Sequence, residues 1–218
     1  MRVGTYYRYI LFKKLGIFKD IMKDYKLLDV GGFDGFTLSQ LMASKKVLID
    51  PNTQKKYERI SYLKDNFFNY DFKKQKFNFI LSFDVLEHIP KEKEVEYFLK
   101  IYSLLEKGGI AIITTPSNDI KTFPNFLRMW IGKKWGHYKC LGYAKEELVK
   151  LIDNTKIRKY KIYSCQSRYY LNSYLLIKFL YIIFPDKIIK RLLTLIGNKD
   201  AKLDYKLCKG YYLLSIRK

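Results

Sequence analysis

Two histidines, His88 and His137, are the only imidazole side chains of the 218-residue chain. His88 directly follows Glu87 after a long apolar run, and His137 lies between Trp135 and Tyr138. Because an imidazole titrates near neutral pH, either ring could take a proton from a hydroxyl nucleophile. We predict His88 and His137 as catalytic residues and Glu87 as a substrate contact. The alternative is structural, with Glu87 and His88 capping the next helix or ordering its loop.

A glycine turn follows the first apolar run of the chain, residues 26–30. Gly31 and Gly32 stop this run, and Asp50 ends the second apolar run 15 residues after Gly35. A glycine turn lets the backbone approach a ligand closely, and an acid at the end of the second strand can accept hydrogen bonds from ribose hydroxyls. The glycine spacing does not fit the Gly-x-Gly-x-x-Gly pattern of dinucleotide sites. A tight connection without a ligand is the alternative.

Short apolar runs alternate with segments of helical periodicity along most of the chain. This alternation predicts a doubly wound α/β sheet. Gly108 and Gly109 are predicted to end the helix that follows the fourth strand, as glycine commonly does. The predicted strands are 26–30, 46–50, 60–63, 77–83, 110–115, 159–164 and 211–216, and the predicted helices are 1–25, 36–43, 91–105 and 144–152.

Residues 29–35, Asp-Val-Gly-Gly-Phe-Asp-Gly, resemble the first motif of class I S-adenosylmethionine-dependent methyltransferases. That motif is usually Asp-x-Gly-x-Gly-x-Gly, so Phe33 replaces its middle glycine. The resemblance implies that S-adenosylmethionine is the cofactor, that Asp29 and the loop amides hold its amino-acid end, and that Asp50 binds its ribose. The loop residues implied in cofactor binding are Gly31, Gly32 and Gly35.

Two further segments resemble the same family. Residues 77–90 (FNFILSFDVLEHIP) resemble its fourth motif and the following turn, and residues 104–116 (LLEKGGIAIITTP) resemble its fifth-strand block. A histidine-containing segment, residues 135–143, precedes a helix as in small-molecule members, with Tyr143 as a second substrate contact. The resemblance spans about residues 26–155 and implies a seven-stranded, mostly parallel, Rossmann-like sheet.

The resemblance also implies contacts after the third and fourth strands. Asn66 is the counterpart of an acid that reads the adenine, since an Asn carbonyl can accept from the adenine amino group, and Phe67 would lie against the ring. Asp65 takes the place of Asn66 if the register differs by one residue. Ser82 and Asp84 lie at the cofactor-facing end of the fourth strand, where backbone contacts are expected.

Other catalytic patterns are missing from the sequence. It contains no His/Cys cluster at metal-ligand spacing, no Walker-type phosphate loop and no Gly-x-Ser-x-Gly turn, so no metal site is predicted. The cysteines, Cys140, Cys165 and Cys208, are scattered without paired spacing. This arrangement and an N-terminus without the pattern of a signal peptide predict a cytoplasmic protein.

The C-terminal third is basic and apolar. The net charge is +21, and residues 156–218 hold 15 basic and 3 acidic residues. Residues 174–184 are too few to span a bilayer, but with the amphipathic segment 187–196 they are typical of an interfacial membrane helix or of a lid over an apolar substrate. We predict contact with an anionic membrane surface through residues 172–197, peripheral on the inner membrane face. Packing on the sheet and binding of a protein partner are the alternatives.

These observations predict one methyltransferase domain, residues 1–218, with an N-terminal helical cap (1–25), a cofactor half (26–116) and a substrate half (117–218) that carries the helical insertion. The predicted reaction is O-methylation of a small, saccharide-containing or lipid-linked acceptor near a membrane. One alternative is an RNA methyltransferase, because lysines meet phosphates and aromatic rings stack on bases. The other is a non-catalytic, methyltransferase-like partner subunit, which Phe33 and Asn66 would suit.

Overall fold

A computed structural model of the protein describes residues 2–120, 124–165, 168–203 and 210–218. The chain divides into two compact units, which we call the sheet unit (Ile21–Tyr163 with Tyr212–Lys218) and the helical unit (Met1–Asp20 with Ser164–Tyr211). Among the described residues, no helix is long and apolar enough to cross a membrane. The predicted division of a single domain into cap, cofactor half and substrate half stays a prediction.

Seven strands form one sheet in the order β3-β2-β1-β4-β5-β7-β6. The chain runs outward from β1 through β2 to β3 and returns to β4 on the other side of β1, so the strand order reverses between β1 and β4. The β1–β2, β2–β3, β1–β4 and β4–β5 pairs are parallel, which confirms the predicted seven-stranded, mostly parallel α/β sheet. The strands are β1 Lys26–Val30, β2 Lys45–Ile49, β3 Ser61–Leu63, β4 Phe77–Phe83, β5 Leu105–Pro116, β6 Tyr160–Cys165 and β7 Tyr211–Arg217.

Strands β1 and β4 are buried almost throughout, as expected for apolar runs that are covered on both faces of a parallel sheet. Helix α3 (Glu94–Leu104) buries one stripe, Tyr97, Phe98, Ile101 and Leu104, in the core of the sheet unit. This spacing places the four side chains on one helical face. The other helices of this unit are α2 Phe36–Ser39, α4 Asn125–Lys134 and α5 Lys145–Asp153, and two short 3-10 helices cover Leu86–His88 and Lys91–Lys93.

The helical unit contains α1 (Val3–Lys14), α6 (Arg168–Ile183) and α7 (Asp186–Asp200). The buried carboxylate of Asp200 joins all three helices. It accepts hydrogen bonds from the hydroxyl of Tyr7 at 2.7 Å and from the backbone amides of Tyr169 and Tyr170 at 2.9 and 3.2 Å. The two amides belong to the first turn of α6, where backbone N–H groups lack partners within the helix, so Asp200 stabilises that helix end.

Several predicted boundaries differ from the structure. Helix α1 ends at Lys14 and α2 at Ser39, so both are shorter than predicted. The glycine pair 108–109 does not end a helix. It lies inside β5, where the Gly108 amide donates to the Lys218 carbonyl and the Lys218 amide donates to the Gly109 carbonyl. Helix α4 was not predicted from the sequence.

Candidate functional site

The carboxyl ends of β1, β2 and β4 lie side by side at one edge of the sheet. Because these strands are parallel neighbours, the glycine turn after β1, Asp50 after β2 and Asp84 after β4 meet at that edge. This edge coincides with the reversal in strand order. Ligands of open α/β sheets bind at such a position.

The structure brings the glycine turn and Asp50 into direct contact. The Phe33 amide donates to Asp50 Oδ2 at 3.2 Å, and the Asn52 amide donates to Asp50 Oδ1 at 2.7 Å. The Gly31 amide donates to the Ile49 carbonyl at 2.8 Å. The half-buried carboxylate therefore orders the loop beside it, and its ribose-binding role stays a prediction.

Two of the three predicted loop glycines, Gly31 and Gly35, have a positive φ, which favours glycine. Gly31 has a φ of +77°, and a Cβ there would lie 2.3 Å from Val85 Cγ2. A Cβ on Gly32 would lie 2.3 Å from Asp29 Oδ2, so the buried Asp29 carboxylate lies directly beside Gly32. Gly35, with a φ of +76°, lies against the Tyr62 hydroxyl. Asp29 thus lies beside the loop, and its role at the amino-acid end of the cofactor stays a prediction.

Phe33 occupies a left-handed conformation, with a φ of +52°. This position corresponds to the middle glycine of the family motif, and a non-glycine residue there costs about 1–2 kcal/mol. The loop holds this conformation because the Phe33 carbonyl accepts from the Thr53 hydroxyl at 2.7 Å and from the Gln54 amide at 3.1 Å. The loop therefore has the left-handed backbone conformation typical of glycine at a position occupied by phenylalanine.

The segment after β3 is ordered by its own polar groups. Asn66 Oδ1 accepts the Phe68 amide at 2.8 Å, and Asp65 Oδ1 accepts the Asn66 amide at 2.6 Å. The predicted adenine contact through Asn66 would have to share an oxygen that already accepts a backbone N–H. Phe67 is only 7% exposed and packs edge-to-face on Phe72 and Tyr97 within the core. Its position is that of a core residue, which disfavours the predicted contact with a ring of the cofactor.

Ser82 lies near the end of β4 and Asp84 directly follows the strand, but the two residues differ in surroundings. The Ser82 hydroxyl is fully buried, 2.5 Å from the Tyr97 hydroxyl, so its side chain is structural. Burial also raises the pKa of the Tyr97 phenol. Asp84 is partly exposed, has a φ of +55°, and accepts from the Thr114 hydroxyl at 3.1 Å. Only Asp84 of this pair therefore places its side chain at the exposed edge of the sheet.

The two histidines lie together although 48 residues separate them in the chain. Their ring centroids are 4.5 Å apart in an edge-to-face arrangement, and His88 Nδ1 lies 3.3 Å from the Gly136 carbonyl oxygen. His88 is exposed and His137 is half-buried. Burial first, and the nearby His88 second, lower the pKa of His137 to about 4, while Asp84 acts in the opposite direction. The structure thus unites both predicted catalytic residues next to the end of β4.

Backbone hydrogen bonds hold the His137 loop against the turn after β4. The Glu87 carbonyl accepts the Tyr138 amide at 2.8 Å and the Lys139 amide at 3.2 Å. The loop ends at Gly142, which has a φ of +82° and whose added Cβ would lie 2.5 Å from the Pro116 carbonyl oxygen. Gly142 permits the close approach of the loop backbone to the Pro116 carbonyl.

The predicted substrate contacts, Glu87 and Tyr143, are both buried. Each side chain is about 1% exposed, and the Glu87 carboxylate lies 3.3 Å from the Thr115 hydroxyl. The Tyr143 hydroxyl donates to Glu94 at 2.5 Å, and burial raises the pKa values of both partners. Tyr143 is a core residue in this structure, so its burial disfavours the predicted substrate contact.

Sequence spacing predicted no metal site, and that call stays a prediction, but the fold brings three potential ligands together. Glu87, His88 and His137 each place one potential ligand atom within 4.8 Å of the others. The pattern was missed because the third residue comes from a distant loop. Only the adjacency of Glu87 and His88 could have indicated it.

Exposed aromatic side chains accompany the histidine pair in the sheet unit. Phe126 and Trp130 are exposed on α4, and Trp135 and Tyr138 are exposed in the loop that follows. The Trp135 ring is 5.9 Å from the His137 ring. An apolar or planar acceptor could therefore contact aromatic surface while it lies at the histidines.

Comparisons with known proteins agree with this architecture. The chain matches the family described as methyltransferase domain over residues 6–160, and no curated protein matches it in sequence. It is similar to phosphoethanolamine N-methyltransferase 2 of Haemonchus contortus in complex with phosphomonomethylethanolamine and S-adenosylhomocysteine. The TM-score is 0.66 at 16% identity, over 95% of this chain and 52% of that one, so the chain spans about half the length of that enzyme.

Two cyclopropane synthases are also similar. The mycolic acid cyclopropane synthase CmaA1, complexed with S-adenosylhomocysteine and CTAB, has a TM-score of 0.62 at 13% identity, over 94% of this chain and 83% of its own. MmaA2 of Mycobacterium tuberculosis has a TM-score of 0.63 at 14% identity, over 95% and 82%. At these identities the likeness concerns the fold. Because the family match covers well over half of the chain, the protein belongs to the methyltransferase-domain family, in agreement with the predicted class of S-adenosylmethionine-dependent methyltransferases.

Proposed function

We propose that the protein transfers a methyl group from S-adenosylmethionine to a hydroxyl oxygen of a small, saccharide-containing or lipid-linked acceptor at a membrane surface. The family match and the contact between the glycine turn and Asp50 support the cofactor. The main observation in favour of an acceptor at a membrane surface is an exposed apolar face on α6 of the helical unit. The paired histidines support an acceptor with a proton to lose.

The chemistry requires positioning and the removal of one proton. The acceptor oxygen forms a bond to the methyl carbon while the bond from that carbon to sulfur breaks, and the electron pair of that bond stays on sulfur. The acceptor hydroxyl loses its proton, and S-adenosylhomocysteine is the second product. His88 and His137 lie at the edge of the sheet where the acceptor is expected, so an imidazole could receive that proton.

The apolar face of α6 consists of five exposed side chains at helical spacing. They occur at positions i, i+1, i+4, i+7 and i+8, which share one side of a helix. Ile182 is 84% exposed, and the opposite side buries Ile177 completely. An exposed apolar surface of this kind indicates a binding surface more often than an ordinary solvent face. The five residues are Leu175, Leu176, Phe179, Ile182 and Ile183.

Positive charge accompanies this face. Lys178 is exposed on α6 itself, and Lys187 and Arg191 are exposed on α7 of the same unit. Residues 156–218 carry five times as many basic as acidic side chains. Apolar burial together with attraction to anionic headgroups is how interfacial helices bind membranes. The same proposal assigns the protein to the cytoplasmic side of the inner membrane.

Two structural neighbours have names that fit this acceptor class. One is a phosphoethanolamine N-methyltransferase and one is a mycolic acid cyclopropane synthase, so both names refer to a polar-headed or lipidic acceptor. They support the proposal by analogy of fold only.

Vesicle flotation tests the membrane part of the proposal. We expect wild-type protein to float with vesicles of phosphatidylcholine and phosphatidylglycerol and to keep part of this binding at high salt. The double variant Phe179→Ser/Ile182→Ser should lose the salt-resistant part. Met42→Ser is the matched control, because Met42 is 64% exposed in the sheet unit and lies outside the apolar face. Equal flotation of the wild type and the double variant would refute membrane binding through the apolar face of α6.

RNA methylation is the second candidate, supported by the net charge of +21. Phosphate contacts make RNA binding fall steeply with salt, whereas burial of apolar side chains in a bilayer does not. Steeply salt-dependent binding to RNA, with no binding to vesicles, would replace the lipid proposal. A chain that binds no S-adenosylmethionine in calorimetry would instead fit the non-catalytic partner subunit, which Phe33 suits.

A further inference from the structure

We propose that Glu87, His88 and His137 bind one divalent first-row transition-metal ion. One ligand atom from each residue lies within 4.8 Å of the other two. The set of two imidazoles and one carboxylate comes from the turn after β4 and from the loop after α4, both in the sheet unit. This combination of ligands is one that catalytic zinc and non-haem iron sites use.

The distances suit an ion after a small adjustment. An ion at about 2.1 Å from each ligand atom requires neighbouring ligands about 3 Å apart and opposite ligands about 4 Å apart. The present separations therefore need side-chain shifts of about 1 Å. His88 is exposed, so its ring can move towards the half-buried His137.

Hydrogen bonds outside the ligand set already orient it. His88 Nδ1 lies 3.3 Å from the Gly136 carbonyl oxygen, and the tautomer that donates there leaves Nε2 with the lone pair. The Thr115 hydroxyl lies 3.3 Å from Glu87 Oε2. Such contacts orient metal ligands in known sites. The backbone bonds from Tyr138 and Lys139 to the Glu87 carbonyl hold the two ligand segments together independently of these side chains.

The local charge also favours a cation. Glu87 is a carboxylate buried beside two imidazoles, and Asp84 interacts electrostatically with His137. The Glu87 carboxylate accepts a hydrogen bond from the Thr115 hydroxyl, and its negative charge would also attract a cation at the two imidazoles. Because two of the three ligands are imidazoles, the ion is of the Zn²⁺, Fe²⁺ or Mn²⁺ type rather than Ca²⁺.

Three protein ligands leave coordination positions open, and the exposed His88 is on the solvent side. An acceptor oxygen could take one of these positions, and a bound cation lowers the pKa of a coordinated hydroxyl. This role rests on the proposed O-methylation. It changes His88 and His137 from bases to ligands, with the hydroxyl proton released to water. Metal binding itself needs no acceptor.

Calorimetry and equilibrium dialysis with Zn²⁺ and with Mn²⁺ test the site on the metal-free protein. We expect one ion per chain, and an affinity at least about 10-fold weaker in Glu87→Gln, His88→Ala and His137→Ala, since even loss of an outer-shell partner costs 10- to 100-fold. His88 is exposed, so His88→Ala tests the site even if the buried Glu87 does not tolerate change. Cys140→Ser is the control, because the Cys140 thiol lies 3.1 Å from the His137 carbonyl and could bind zinc adventitiously.

S-adenosylmethionine binding to the same samples separates this inference from the proposed function. Wild-type protein that binds S-adenosylmethionine but no metal ion overturns the metal site alone. Metal binding that survives all three ligand substitutions, or that disappears in Cys140→Ser, also overturns it. Metal binding without S-adenosylmethionine binding would support the site and refute the proposed function.

Discussion

Removal of the Asp50 carboxylate should abolish most cofactor binding. Asp50 accepts two backbone N–H groups, from Phe33 at 3.2 Å and from Asn52 at 2.7 Å, so Asp50→Ala leaves the loop amide of Phe33 without its acceptor. The variant also removes the two hydrogen bonds expected from the ribose hydroxyls. A hydrogen bond to a charged group contributes about 1.5–3 kcal/mol.

The expected loss is about 2–4 kcal/mol, because water replaces part of the lost contacts. This corresponds to a dissociation constant that is roughly 30- to 1,000-fold weaker. Isothermal titration of S-adenosylmethionine into the wild type and into Asp50→Ala measures it directly. A loss in this range would assign the ribose to Asp50.

Asp71→Ala is a closely matched control. Asp71 Oδ1 accepts the amide of Lys73 at 2.7 Å, in the same local arrangement as Asp50 and Asn52, but it lies outside the glycine turn. We expect its affinity for S-adenosylmethionine to equal that of the wild type. Equal affinity in the wild type and in Asp50→Ala would refute the ribose assignment, and so would an equal loss in both variants, because the loss would then not be specific to the acid beside the glycine turn.

Three further predictions concern backbone conformation and burial. Gly142→Ala should lower the free energy of unfolding in urea by more than about 2 kcal/mol, since it adds a clash to left-handed strain, whereas Gly136→Ala, with open space around its Cβ, should cost about 1–2 kcal/mol. Phe33→Asn should be more stable than Phe33→Val by about 1 kcal/mol, because both remove the ring but Asn tolerates a positive φ. Tyr7→Phe should lose about 1–3 kcal/mol at neutral pH, because it takes a hydrogen bond from the buried Asp200 carboxylate.

The pH dependence of the last variant has a definite sign. Burial raises the pKa of Asp200, and the Tyr7 hydrogen bond lowers it, so the pKa rises further in Tyr7→Phe. A carboxyl with a raised pKa destabilises the fold at pH values above that pKa, and the penalty disappears as the acid protonates. The difference between wild type and variant should therefore shrink at mildly acidic pH, and a constant difference would contradict this account. Tyr174→Phe is the control, since no hydrogen bond of the Tyr174 hydroxyl is found among the described residues.

Equal results within the other two pairs would also contradict the reasoning. If Gly136→Ala costs as much as Gly142→Ala, then the contact with the Pro116 carbonyl contributes nothing to stability. If Asn and Val are equivalent at position 33, then the turn relaxes out of its left-handed conformation in the variants. Urea unfolding of each pair under one condition decides both.

Sequence patterns correctly predicted those elements whose formation depends on residues within the element itself. Strands β1 and β4 have the predicted bounds, because an apolar run predicts a buried strand and the turn residues on either side predict where it begins and ends. Helix α4 was missed because its residues form little of a buried stripe, and it is stabilised by contacts such as those of Arg128 with the Ser117 and Leu141 carbonyls. The start of β5 was missed because glycines 108 and 109 pair with the chain end, which no local pattern reveals.

By itself, the sequence determined the fold class, the glycine turn and the identity of the acid at the end of β2, since motif spacing along one chain segment encodes these. Tertiary structure alone decided which polar side chains meet. It placed Phe67 and Tyr143 in the core, and it brought the His137 loop to the His88 turn through the backbone hydrogen bonds of Tyr138 and Lys139 to the Glu87 carbonyl. Side-chain direction and contacts between distant segments depend on packing, which residue spacing does not record. For that reason the histidine pair was predicted as two separate candidates and became one site only in the folded sheet unit.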